Sequence, residues 1–211
     1  MTKLKICGLR RKDDIDYVNE FQPDYAGFIL SEPFWRHIGL DKLRELTGQL
    51  SKKITPVGVF VNESVETILP FAEYLGVIQL HGDEDDDYIR KLKEHTDCEI
   101  WKAIRPQTSD EISNACSGLA DKLLIDSFSK DSVGGTGKVG NWDIIKNAEI
   151  TKPFFLAGGI SADNIKEAIK TIKPYGVDVS SSVETNKYKD KEKIRTFVLK
   201  AREYDLRRSE I

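Results

Sequence analysis

The sequence predicts an α/β protein: a (β/α)8 barrel of the TIM type, forming a single domain over residues 1–211. Three observations carry this. Eight short apolar runs alternate with amphipathic stretches. A chain of 211 residues sits at the lower end of that fold's range. No linker rich in Pro, Gly or Ser and no break in composition divides the chain. The strand runs are Lys3–Cys7, Tyr25–Leu30, Pro56–Val61, Val77–Leu80, Glu99–Ala103, Lys122–Ile125, Phe154–Ala157 and Val177–Ser180. Each is short and mostly apolar, as a strand buried on both faces must be. Between them, Asp41–Leu50 has apolar residues at 43, 46 and 50. Ile160–Ile172 has them at 162, 165, 168, 169 and 172, behind Ser161 as N-cap. Ile194–Ala201 repeats the helical spacing at 194, 197, 198 and 201. An open doubly wound sheet permits the same alternation, and the strand count is what favours the barrel.

Composition excludes several classes. With 32 Lys plus Arg against 35 Asp plus Glu, the chain lacks the positive excess of a nucleic-acid binder. No apolar run approaches the ~18 residues of a membrane span, and Met1–Lys5 leads into a strand rather than a signal peptide. Three cysteines, at 7, 98 and 116, form no CxxC pair, which argues against a disulfide framework or a structural zinc site. His37, His81 and His95 have no metal spacing either. A reduced, cytoplasmic compartment and no metal are the expectation.

In a barrel, function gathers where strands end and loops begin. Strand 1 ends at Cys7, strand 6 at Asp126, and Trp35–Arg36 lie in the loop after strand 2. Gly158–Gly159 follow strand 7, and Ser180–Ser181–Ser182 end strand 8. Loops after strands 7 and 8 commonly hold phosphate in this fold, and exposed backbone N–H groups at a helix start favour anions. A tight turn alone also explains a Gly pair. Cys7 reads either as a small buried apolar residue or as a thiolate base or nucleophile. Asp126 reads either as a turn cap or as a general acid or base. Gly135–Gly140 matches GxGxxG, but nine residues separate it from the strand and no acid follows at the right distance. It also falls short of a P-loop, with Ser132 for the first Gly and Val139 for the Ser or Thr. The acidic run Asp83–Asp87 has Tyr88 where a calcium loop needs glycine, so it reads as the start of a helix.

Taken together, Lys5-Ile6-Cys7-Gly8-Leu9, Gly27-Phe28-Ile29, Val57–Asn62, Gln79-Leu80-His81-Gly82, Gly134–Lys138 and Gly176–Ser181 resemble the phosphoribosylanthranilate isomerases of tryptophan biosynthesis. The likeness runs from strand 1 to strand 8. It implies a (β/α)8 barrel that converts N-(5-phosphoribosyl)anthranilate to 1-(2-carboxyphenylamino)-1-deoxyribulose 5-phosphate without a cofactor. It further implies Cys7 as base, Asp126 as acid, Arg36 on the anthranilate carboxylate, and Gly158, Gly159, Ser181 and Ser182 on the phosphate. Two departures stand out: Phe34–Trp35 replace the family's usual Ser-Pro, and Ser182 replaces a glycine. Trp35 or Phe34 would then either cover the apolar face of the substrate ring or anchor the loop on the barrel.

The implied chemistry needs acid and base in opposite starting protonation states: Cys7 as thiolate and Asp126 as neutral acid. Helix N-termini around the rim are the expected support for the thiolate. Other barrels of the same kind fit less well. An indole-glycerol-phosphate synthase would want a lysine at the end of strand 1 or 2. A sugar isomerase of histidine biosynthesis would want an aspartate where Cys7 stands. A non-catalytic phosphosugar-binding module would not need the Cys7–Asp126 pair. The expected partner is a small phosphoribosyl substrate, with no nucleic acid and no membrane, on a monomer or homodimer.

Overall fold

The computed structural model describes residues 1–127 and 142–209. Eight parallel strands close into a barrel in chain order: β1 (Lys3–Cys7), β2 (Tyr25–Ile29), β3 (Thr55–Phe60), β4 (Val77–Leu80), β5 (Glu99–Ile104), β6 (Lys122–Asp126), β7 (Phe154–Ala157) and β8 (Gly176–Val179). Each predicted strand is present with its ends within one residue. The interleaved helices are α1 (Lys12–Phe21), α2 (Leu40–Thr47), α3 (Val65–Ala72), α4 (Asp86–Lys93), α5 (Ser109–Cys116), α6 (Trp142–Lys146), α7 (Ile165–Ile172) and α8 (Lys191–Ser209). A 3-10 turn (Ser181–Val183) and a small hairpin, β9 (Glu184–Thr185) with β10 (Tyr188–Lys189), lie between β8 and α8. The GxGxxG match lies outside the described residues. No helix among the described residues is long and apolar enough to cross a membrane.

Alternation along each strand sorts side chains into two sets. One set, including Leu4, Ile6, Phe28 and Leu123, packs outward against the helices. The other points into the barrel, where Val57, Val77, Trp101, Leu124 and Phe155 meet Tyr25. Trp101 and Phe155 stack with centroids 4.5 Å apart, and Tyr25 meets both edge-on at 5.0 and 5.4 Å. These rings fill the lower barrel and leave its C-terminal end for chemistry.

Two local expectations change. Ser161 does not cap α7; a turn over 162–164 intervenes, and Asn164 holds the N-cap position without a side-chain bond to the helix. Asn164 Oδ1 accepts from Ser161 N–H while Ser161 Oγ accepts from Asp163 N–H. The short polar side chains thus stabilise a turn in competition with the first helical turn. The acidic run starts α4 only from Asp85, whose carboxylate caps Tyr88 N–H. Glu84 turns inward instead and accepts from the N–H groups of Asn62 and Gly82 and from Lys102.

Phe155→Ala would remove the ring at the centre of the barrel plug. An aromatic-to-alanine change in a packed core costs about 3–5 kcal/mol. The expected result is a markedly lower urea midpoint at unchanged transition slope.

Candidate active site

At the C-terminal end of the strands lies a cavity of about 870 Å³. Its wall contains Cys7, Asp126, Gly158, Gly159, Ser181 and Ser182, six of the seven residues singled out in the sequence. Each of the two acid–base candidates continues the inward set of its strand: Cys7 follows Lys5 on β1, and Asp126 follows Leu124 on β6. The two strands stand three steps apart around the ring, so their side chains approach from different sides.

Cys7 is held closely. A Cβ on Gly27 would come within 2.8 Å of its sulfur and 3.0 Å of its Cα, so only glycine leaves room at that paired position. Ser180 Oγ donates to the Cys7 carbonyl at 3.0 Å. Burial pushes the Cys7 thiol above its ordinary value, against the pull of the Lys5 and Lys189 ammoniums. Lysine side chains thus supply positive charge beside Cys7. Lys5 itself is fully buried and pairs with Asp178 at 2.9 Å.

Asp126 faces Arg105, whose Nε lies 3.5 Å from Oδ2. Arg105 Nη2 also lies 3.3 Å from His81 Nε2, and Gln79 Nε2 lies 3.2 Å from His81 Nδ1. Burial, with Arg105 next, pushes His81 down to about 4, so its imidazole is neutral at physiological pH.

The Gly pair adopts left-handed backbone, with φ of 83° at Gly158 and 71° at Gly159. A Cβ on Gly159 would meet nothing within 4 Å, so the loop opens directly onto the cavity. Neither glycine N–H donates to another described residue. Across from them, Ser182 Oγ is buried without a partner among the described residues. Gln79 Oε1, also in the wall, is likewise unpartnered. Buried polar atoms are rarely left unsatisfied, so both keep bonding capacity to spare.

Arg36 does not join the cavity wall. Its guanidinium is taken up by Glu184, with Nε to Oε1 at 2.9 Å and Nη2 to Oε2 at 2.8 Å. It sits at the edge beside Gly8 and Ser180. Trp35 is half exposed and lies face-on to it, 4.0 Å from ring centroid to guanidinium carbon. The aromatic therefore covers Arg36 and does not anchor the loop in the barrel.

Sequence reasoning alone does not mark Lys5, Asp178, His81, Arg105, Glu184 and Lys189 as site residues. Period-two spacing was a usable signal for two of them: Lys5 shares a strand face with Cys7, and Asp178 shares one with Ser180.

A family model described as N-(5'-phosphoribosyl)anthranilate isomerase matches residues 4–200. The chain belongs to this isomerase family. The N-(5'-phosphoribosyl)anthranilate isomerase of Thermoanaerobacter pseudethanolicus is 45% identical over 204 residues, covering 96% of this chain and 98% of that protein. That of Acetivibrio thermocellus is 44% identical over 214 residues, covering 97% and 98%. Among solved structures, the isomerase of Thermotoga maritima superposes with a TM-score of 0.83 at 30% identity, over 96% of this chain and 100% of that one. A phosphoribosylanthranilate isomerase in complex with reduced 1-(o-carboxyphenylamino)-1-deoxyribulose 5-phosphate superposes at 0.80, with 29% identity and the same coverage.

The neutral His81 has a consequence for pH. Its folded value, about 4, lies below the ordinary 6.5, so the unfolded chain takes up that proton first as pH falls. The stability His81 contributes is complete above pH 6.5 and declines towards pH 4. Denaturant titrations should show this decline in the isomerase, and His81→Gln should flatten it.

Proposed function

We propose that this chain performs its family's reaction, the isomerisation of N-(5'-phosphoribosyl)anthranilate, with Cys7 as general base and Asp126 as general acid. The observation that carries the reading is the arrangement of the cavity. A thiol and a carboxylate meet there from separate strands, beside a left-handed Gly–Gly loop and an unpartnered serine hydroxyl.

The chemistry is an Amadori rearrangement. Asp126 gives a proton to the ribose ring oxygen, and the C1–O bond breaks as the nitrogen lone pair forms an imine. The imine makes the C2 hydrogen acidic, and Cys7 removes it. The resulting enolamine becomes the ketone, 1-(2-carboxyphenylamino)-1-deoxyribulose 5-phosphate. C1 is reduced as C2 is oxidised, so the electrons balance within the substrate.

The phosphate takes the N–H groups of Gly158 and Gly159 and the hydroxyls of Ser181 and Ser182. Ser182 in place of the family's glycine fits this role, since its buried Oγ is a spare donor at the loop that faces the phosphate. At the other end, Glu184 occupies the Nε and Nη2 edge of Arg36, which leaves the Nη1 side for the anthranilate carboxylate.

Turnover of freshly prepared N-(5'-phosphoribosyl)anthranilate tests the acid–base assignment. Losing a positioned acid or base costs about 10²–10⁴ in rate. Cys7→Ala and Asp126→Asn should each lower kcat by that order with little change in KM. Cys98→Ala should not, because its thiol bonds the Leu75 carbonyl outside the barrel. A kcat near wild type in either site variant removes that residue from its role.

Phosphate binding has its own readout. A ligand of the native state raises Tm by mass action, so inorganic phosphate should do so here. Gly159→Asp, a residue type that tolerates left-handed backbone, places a negative charge in the open loop and should abolish the shift. Gly159→Asn, with the same shape and no charge, should retain part of it. Equal responses in wild type and the aspartate variant would put the anion elsewhere.

A further inference from the structure

Lys5 is unusual: a lysine with no solvent exposure, in the interior of a barrel. Burying a charge is expensive, and replacing a buried ion pair with apolar residues is often neutral or stabilising. Its presence needs a reason beyond stability. Register supplies the geometry. Lys5 stands opposite Asp178 in the β1–β8 pairing, and the two make an ion pair at 2.9 Å. Lys5 and Cys7 are two residues apart on one strand, so both side chains enter the barrel on the same side. Asp178 and Cys7 both line the cavity, while Lys5 is shut beneath them.

We propose that Lys5 and Asp178 are positioning residues that set the thiolate population of Cys7: the Lys5 ammonium stabilises the ionised sulfur, and the Asp178 carboxylate restrains it. This rests on the reading of Cys7 as the base. In the resting state Lys5 and Asp178 cancel, so a thiolate formed beside them is attracted by one and repelled by the other. The ammonium has the larger influence on the sulfur and outweighs the Asp178 carboxylate. Asp178 holds the flexible lysine in place and keeps Cys7 a thiol until it is needed. The other charges near the trio are Lys189, which favours the thiolate, and Asp126, whose carboxylate disfavours the charge on Asp178. Lys189 is engaged by Glu184 at 2.7 Å and by the Ser180 carbonyl at 2.9 Å, and its influence on Cys7 is smaller than that of Lys5.

The two residues act with opposite signs, which separates this from a purely structural role. The test uses a Cys98→Ser, Cys116→Ala background, so that Cys7 is the sole thiol. Thiolate absorbance near 240 nm and the rate of iodoacetamide alkylation are followed against pH. Lys5→Met should move the titration of Cys7 upward by about 1–3 pH units, the size of a neighbouring charge's influence. Asp178→Asn should move it downward. In turnover, Lys5→Met should lower kcat at neutral pH with KM held, and higher pH should restore part of the loss. If either single variant fails to fold, Lys5→Met/Asp178→Leu removes the pair together and should still shift the titration upward. Titrations that stay put, or that move the same way in both single variants, overturn the proposal. The Cys7→Ala turnover result is separate: full activity there would remove the base assignment, whatever the thiol titrations show.

Discussion

The pairing of β8 with β1 is the contact on which the rest of the structure depends. It joins the last strand to the first over the register Lys3–Ile6 with Gly176–Val179. Without it the sheet has two open edges, and unpaired strand edges are where sheets fail. The chain secures the seam from outside. Asp205 on α8 accepts from the N–H and hydroxyl of Thr2, while Arg202 bonds the Thr2 carbonyl and Asp24. Asp24 in turn accepts from Leu4 N–H and Lys3. The same seam creates the site: it brings Cys7 to Ser180, Lys5 to Asp178, and the β9–β10 hairpin over both.

The barrel is polarised along its axis. The lower interior is aromatic and aliphatic, closed below by the Lys122–Glu99 ion pair, and a larger group of charges gathers at the upper end. Lys5 and Asp178 are paired there, and Lys189 and Arg36 share Glu184. None of these helps the core pack, and each must offset its own desolvation with a partner. Burial works against the charge of Glu184, yet Arg36 and Lys189 hold its carboxyl below the usual range. Burial lowers Lys189 in spite of Glu184. A protein selected for stability alone would fill that space with leucine. Pairing offsets part of the desolvation of these charges.

The fold was legible because a closed barrel imposes a repeat, and the repeat survives in eight apolar runs. The six cavity residues were legible for a related reason: in this fold the end of a strand is already an address. What the sequence hid depended on contacts between distant positions. Glu184 lies 148 residues from Arg36 in the chain, and nothing local marks it as that arginine's partner. Lys189 and Arg105 read as surface charges in a chain full of them. His81 was visible in its motif, but its neutral state comes from burial and from Arg105, which only the folded chain supplies. Ser161 was misplaced as a cap because several short polar side chains share that turn, and a sequence does not say which one opens the helix.

The departure at Phe34–Trp35 has a physical explanation in the same network. Ser-Pro would restrain this loop through its backbone, since proline fixes φ. Here the restraint acts on the guanidinium itself. Trp35 covers one face at 4.0 Å, and Glu184 grips one edge with two parallel bonds. The grip is itself fixed, because Glu184 starts a hairpin whose turn residues, Asn186 and Lys187, both take left-handed backbone at φ of 53° and 65°. That turn suits the twist of a tight two-stranded ribbon and brings Lys189 back to the same carboxylate. Arg10 and Lys187 also lie near the Trp35 ring, at 5.1 and 5.6 Å, so the stacked tryptophan is enclosed by cations on a charged surface. The Arg36 guanidinium is thus fixed on both face and edge by side-chain contacts alone.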